Sequence, residues 1–173
     1  MKIGLFYGST TCFGEMTAEK MQQFLGHDTV DIHNIKETEL GRINDYDLLI
    51  LGISTWDYGE LQEDWEAVWD QLDSIDLSNK VIALYGQGDQ EGYTDWFVDA
   101  MGLLHDKLLP RGAQVVGYWP IEGYDFVASK ALTPDNSHFV GLPLDDESQF
   151  DLSEQRISQW LTQIIEEYAE INN

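Results

Sequence analysis

The sequence predicts an α/β fold: a doubly wound, five-stranded parallel sheet with helices on both faces and a split fifth strand. Three observations carry that expectation. Apolar strings alternate with helical patterns five times along the 173 residues, which is the mark of successive parallel βα units. YDLLILGIST (46–55) is apolar almost without interruption, as a strand covered on both faces is. One connection, within 118–152, is far longer than an ordinary link.

The elements follow in order. KIGLFYGS (2–9) reads as the first buried strand. EMTAEKMQQFL (15–25) has Met16, Ala18, Met21, Phe24 and Leu25 near helical spacing, and Gly26 stops it. TVDIHNI (29–35) alternates and is strand-like, and YDLLILGIST is the third strand. EDWEAVWDQL (63–72) sets Trp65, Val68, Trp69 and Leu72 on one side of a helix. KVIALYGQG (80–88) is the fourth strand, and DWFVDAMGLLHDKLLPRG (95–112) reads as a long helix closed by Pro110 and Gly112. AQVVGYW (113–119) opens the fifth strand, and HFVGLPL (138–144) reads as its return after an irregular excursion. SEQRISQWLTQIIEEYAE (153–170) is the last helix, with Ser153 as N-cap and Ile157, Trp160, Leu161, Ile164 and Ile165 inward. One domain over 1–173 is expected, without repeats or low-complexity tracts.

Composition narrows the function. With 32 acidic and 9 basic residues the formal charge is −23, a field that repels nucleic acid and anionic membranes and favours partners with basic patches. No stretch approaches the roughly 18 apolar residues that span a bilayer. The start is strand-like rather than a signal peptide, and the single cysteine, Cys12, forms no internal disulfide. A cytoplasmic protein is expected. His27, His33, His105 and His138 are scattered, and read as surface or helix residues rather than metal ligands.

In an open parallel sheet, ligands bind beyond the carboxyl ends of the strands. Three loops there are unusual. GSTTCFGE (8–15) offers the hydroxyls of Ser9, Thr10 and Thr11 before a helix N-terminus, a combination that can hold phosphate. Read alone, it is equally an ordinary N-cap. It is neither GxxxxGK[ST] nor GxGxxG, and the first basic residue after Lys2 is Lys20. STWDYGE (54–60) and GQGDQEGYTDW (86–96) present Trp56 and Tyr93 among Gly and Asp. Two aromatics from separate loops can sandwich a flat ring, whereas each taken singly reads as a half-buried packing residue.

The ordered motifs GLFYGSTTC, LGISTWDYGELQEDWEAVWDQL, ALYGQGDQEGYTDWFVDAMG, GYWPIEGYDF and FVGLPLD resemble the long-chain flavodoxin family over essentially the whole chain, and most of all its enteric and related gamma-proteobacterial type. Flavodoxins are the standard instance of strand order 2-1-3-4-5 with flavin mononucleotide (FMN) at the switch point, so that placement comes with the resemblance. The excursion at about 119–138 is similar to the insertion of long-chain members.

The resemblance implies a low-potential, one-electron carrier with non-covalent FMN, an electron-transport protein rather than a substrate-converting enzyme. Ser9, Thr10, Thr11, Cys12, Phe13 and Gly14 would wrap the phosphate. Trp56 and Tyr93 would flank the ring, and Thr55 with the backbone of Asp57, Tyr58 and Gly59 would line its edge. Gly88 and Asp89 would offer backbone contacts, and the acidic turn at 145–147, with Glu147, would approach the ribitol. The Asp57 carbonyl would turn to accept the flavin N5–H, and acids without a cation would lower the potential of the second electron. The implied partners are a flavodoxin/ferredoxin-NADP reductase and acceptor redox enzymes with basic docking faces, met by a monomer.

Two residues depart from the family's T/S-x-T-G-x-T loop: Cys12 stands for the glycine and Gly14 for the last threonine. The lost hydroxyl removes a hydrogen bond of about 0.5–1.5 kcal/mol. Cys12 is expected to be a small loop residue with an inert thiol. Two other functions share such a fold. An FMN-dependent NAD(P)H or quinone reductase needs an open cavity over the ring, which two covering aromatics oppose. A response-regulator-like signalling module needs acids after the first strand and a lysine after the fifth, where Gly8-Ser9-Thr10 and Val116-Gly117-Tyr118 stand.

Overall fold

Side-chain alternation along the central strands sorts the core into two layers. The computed structural model describes residues 1–173. β1 (Ile3–Tyr7) sends Ile3, Leu5 and Tyr7 to one face and Phe6 to the other. β3 (Leu48–Trp56) divides likewise, with Leu48 and Ile50 opposite Leu49, Leu51 and Ile53. α1 (Cys12–Leu25) and α4 (Phe150–Ile171) cover the first face through Ala18, Met21, Trp160 and Leu161. α2 (Glu63–Val68) and α3 (Asp99–Leu108) cover the second through Trp65, Met101 and Leu104. Both faces being buried explains the unbroken apolar strings.

β1 has β2 (Val30–Asn34) parallel on one side and β3 parallel on the other, and β4 (Val81–Gln87) is parallel to β3. The last position is shared. β5 (Gln114–Val116) pairs with the first half of β4, Gln114 opposite Val81. β6 (Leu142–Leu144) pairs with the second half, Leu142 opposite Tyr85. The order β2-β1-β3-β4 followed by β5 and β6 is the expected doubly wound sheet with a split fifth strand.

Between those halves, Trp119–Pro120 pairs antiparallel with His138–Phe139 outside the main sheet. Phe139 is fully buried, and Phe97 packs between it, Tyr124 and Phe126. The excursion also grips the 94–99 segment: Val127 and Ala128 N–H groups donate to the Thr94 carbonyl, and Lys130 N–H donates to Asp99 Oδ1 at 2.7 Å.

Several boundaries differ from the sequence-based expectation. α1 begins at Cys12, so Cys12, Phe13 and Gly14 form its first turn rather than a loop. Its inward face carries Gly14, Thr17, Ala18 and Met21, while Met16 and Phe24 are exposed. The 63–72 helix is α-helical only to Val68 and continues as a 3-10 turn, Trp69–Ser74. The 95–112 helix is interrupted at Val98, whose φ of +49° is left-handed, and α3 starts only at Asp99. Beyond Leu108 the chain tightens into a 3-10 turn around Pro110, which has no N–H to extend an α-helix. Ser153 is not an N-cap. It lies inside α4, buried, and donates to Asp146 Oδ1 at 2.6 Å.

Candidate functional site

The carboxyl ends of β1, β3, β4 and β6 open onto one cleft of about 240 Å³. Each wall comes from a strand end or from the segment that follows it. Thr11 and Phe13 stand at its α1 end. Thr55, Trp56 and Asp57 come from the end of β3, and Gly88, Asp89 and Tyr93 from the segment after β4. Glu147 closes the side after β6. These nine of the sequence-predicted residues therefore share one cleft.

Ser9, Thr10, Cys12, Gly14, Tyr58 and Gly59 stand beside the lining rather than in it. Thr11 is the N-cap of α1 but its hydroxyl makes no capping hydrogen bond, so the first N–H groups of the helix keep their donors free for another acceptor. The Ser9 hydroxyl donates to the Thr11 carbonyl. Thr10 Oγ1 accepts from Gln62 Nε2 at 3.1 Å. Gln62 is fully buried, and its Oε1 caps α2 by accepting from Asp64 N and Trp65 N. Gly14 is buried, and a Cβ there would lie 3.0 Å from the Gly8 carbonyl oxygen and the Ser9 side chain. The glycine at this departure position thus lets the loop close onto the helix.

The aromatics are unusually uncovered. Trp56, at the end of β3, is 37% exposed, and Tyr93, in the segment after β4, is 39% exposed. Tyr58, 68% exposed, presents its ring edge to Trp96 at 5.0 Å and to Tyr93 at 6.4 Å. The 57–59 turn is closed by antiparallel pairing of Trp56 with Glu60. It needs left-handed backbone at both ends, φ +44° at Asp57 and +89° at Gly59; Asp tolerates that region and Gly favours it. Asp99 lies directly behind, its Oδ2 2.9 Å from where a Gly59 Cβ would stand. Burial pushes the Asp99 carboxyl above the ordinary carboxylate range, against the hydrogen bond from Lys130 N.

Asp146, within the acidic turn 145–147, lines the cleft too; sequence reasoning missed Ser54, Gln87, Trp96 and Leu144, which also line it. Ser54 and Gln87 are register partners at the strand ends, and Ser54 Oγ donates to Gln87 Oε1 at 3.1 Å. Gln87 Nε2 donates to Thr17 Oγ1 at 2.9 Å, tying β4 to α1. Aligning the last residues of the two predicted strands would have found that pair. The lining acids are Asp57, Asp89, Asp146 and Glu147, and no Lys or Arg stands among the lining residues. Asp145, in contrast, is fully buried behind the cleft. Burial would raise its carboxyl, but hydrogen bonds from Ser148 and Gln90 outweigh that and hold it below the ordinary range.

Cys12 is an exposed free thiol at the first position of α1. His33 is not a simple surface residue: it is half-buried on β2, stacks on Phe6 and shares a 2.6 Å hydrogen bond with Tyr46 Oη.

The flavodoxin family model matches residues 5–160. The chain is 55% identical to Flavodoxin 2 of Escherichia coli (strain K12), over 98% of each sequence. It is 49% identical to a flavodoxin of Synechococcus elongatus, covering 97% of this chain and 98% of that one. Among solved structures, Fusobacterium nucleatum flavodoxin bound to flavin mononucleotide superimposes with a TM-score of 0.90 at 31% identity, covering 96% of this chain and 98% of that one.

Proposed function

The chain belongs to the flavodoxin family and is an electron carrier that works with FMN; from that premise we propose which residues hold the flavin and how the protein meets its partners. The residues fit such a group. The observation that carries the reading is the single cleft joining the α1 N-terminus to two half-uncovered aromatics.

The phosphate is assigned to the first turn of α1. Free N–H groups of Cys12, Phe13 and Gly14 and the hydroxyls of Thr10 and Thr11 supply its donors, while the Ser9 hydroxyl, donating to the Thr11 carbonyl, shapes the loop around it, so dipoles replace a counter-charge. Trp56 and Tyr93 cover the two sides of the ring and keep water from it, with Thr55, Asp57, Tyr58 and Gly59 along its edge and Gly88 and Asp89 offering backbone. Asp145 faces away from the cleft, so Glu147 carries the acidic turn's contribution on the ribitol side.

Bound FMN supplies reversible one-electron chemistry. The protein sets its direction. Asp57, Asp89, Asp146 and Glu147 oppose extra negative charge in the cleft, which disfavours the most reduced state and lowers its potential. Gly59 leaves the 57–59 turn room to move, so the Asp57 carbonyl would be able to turn toward the flavin edge and hold a proton there.

Electrons arrive from a flavodoxin/ferredoxin-NADP reductase and leave to acceptor enzymes with basic docking faces, which the charge of −23 favours. The carrier acts as a cytoplasmic monomer of one domain, 1–173, in which about 119–138 is the long-chain insertion. No helix is long and apolar enough to cross a membrane. The test of the site is titration of wild type, Trp56→Ala and Tyr93→Ala with FMN. Both variants are expected to bind it more weakly, and wild-type affinity in both would sink the assignment.

A further inference from the structure

Asp145 is a buried carboxyl that forms no salt bridge. It is fully buried, yet it accepts five hydrogen bonds. Oδ1 takes Glu147 N at 3.1 Å and Ser148 N at 3.0 Å. Oδ2 takes Ser148 Oγ at 2.6 Å, Gln90 N at 3.0 Å and Gln90 Nε2 at 2.8 Å. Three donors belong to its own turn and two come from the segment after β4.

Gln90 extends the link. It is buried, and its Oε1 accepts Asp125 N at 2.7 Å from the excursion. Next to it, Gly88 N donates to the Leu144 carbonyl at 3.0 Å. Asp89 then closes its own turn, its Oδ1 accepting Gly92 N at 2.8 Å and its carbonyl accepting Tyr93 N at 3.0 Å. The Asp145 carboxylate thus joins its own turn to the 88–93 segment, Gln90 carries the link on to the excursion, and the 88–93 segment ends at Tyr93.

We propose that Asp145 is a positioning residue for the flavin: through Gln90 it fixes the 88–93 segment, and so the attitude of Tyr93 at the cleft. This rests on the reading that Tyr93 covers the flavin ring. A buried carboxylate suits the role because five convergent donors fix one arrangement, and an amide of the same size must point its own N–H groups at some of them. The carboxylate itself touches neither cleft nor ligand. Its effect on binding is therefore indirect, and it disappears when the residue it positions is removed.

The experiment uses a mutant cycle on the holoprotein: wild type, Asp145→Asn, Tyr93→Ala and the double variant. FMN release on dilution is followed by flavin fluorescence, and visible circular dichroism of the bound flavin reports how the ring is packed. Asp145→Asn is expected to raise the dissociation constant about tenfold, equivalent to about 1.4 kcal/mol, and to change the dichroism. In the Tyr93→Ala background the same substitution is expected to change affinity less than about twofold, within the error of additivity between independent sites. An equal loss in both backgrounds overturns the proposal, as does an unchanged affinity in Asp145→Asn with Tyr93→Ala weakened. Unchanged binding in Tyr93→Ala overturns the underlying reading and the proposal with it. Should Asp145→Asn fail to fold, Gln90→Ala takes its place in the cycle; it removes one of the five donors, keeps the backbone donor, and is judged by the same outcomes.

Discussion

Gln62 and Thr10 stand 52 positions apart, and the Gln62 amide donates to the Thr10 hydroxyl at 3.1 Å. The same buried side chain caps α2 through its oxygen. One glutamine therefore starts α2 on one face of the sheet and holds the loop that leads into α1, which covers the other face. Gln62→Leu removes both functions and leaves Asp64 N and Trp65 N without their acceptor. A loss of about 1–3 kcal/mol in urea unfolding is expected, together with weaker FMN binding. Unchanged binding in a folded Gln62→Leu protein would separate the Thr10 hydroxyl from the phosphate.

Trp56 and Tyr93 contribute through area rather than hydrogen bonds. Stacking of a heteroaromatic ring on an aromatic side chain contributes about 1–3 kcal/mol. Each alanine variant is expected to lose affinity for FMN in that range, while urea midpoints move little because both rings are more than a third exposed. Calorimetric titration distinguishes this from general loosening.

Two buried acids give opposite pH signatures. The Asp145 carboxyl lies below its ordinary range in the fold. Its stabilising contribution is present above an unfolded pKa of about 3.9 and is lost as the pH falls through the folded value. The Asp99 carboxyl is raised by burial, so the fold loses stability as the pH rises past about 3.9 until Asp99 itself ionises. Asp99→Asn keeps an acceptor for Lys130 N without the buried charge. It is expected to be more stable than wild type at pH 7, with the difference shrinking toward pH 4. A variant destabilised at pH 7 contradicts this.

Electrostatic docking predicts salt dependence. Reduction by an NADP-linked reductase is expected to slow as ionic strength rises, because the Debye length shortens to about 8 Å at 0.15 M. A rate independent of salt in stopped-flow measurements would remove the charge of −23 from the account of partner recognition.

Much of this was legible in the chain, for physical reasons. Strands buried on both faces produce unbroken apolar runs, so β1, β3 and β4 were found within a residue or two. The split fifth strand showed as two short apolar strings around an overlong connection. Helix ends were harder. Val98 interrupts a good helical pattern with a left-handed backbone imposed by its surroundings, which no propensity of valine announces. Ser153 looked like a cap because Ser usually is one, yet it is a buried donor to Asp146. In the site, aromatics and glycines were conspicuous on strand ends, whereas Gln62, Gln87 and Gln90 were not. Buried amides that bridge distant segments leave no local pattern.

The carrier account is tested most directly by spectroelectrochemical titration of the purified FMN protein. It predicts two resolved one-electron steps, the second at a potential well below that of free FMN. A single two-electron step at the free-flavin potential would contradict it.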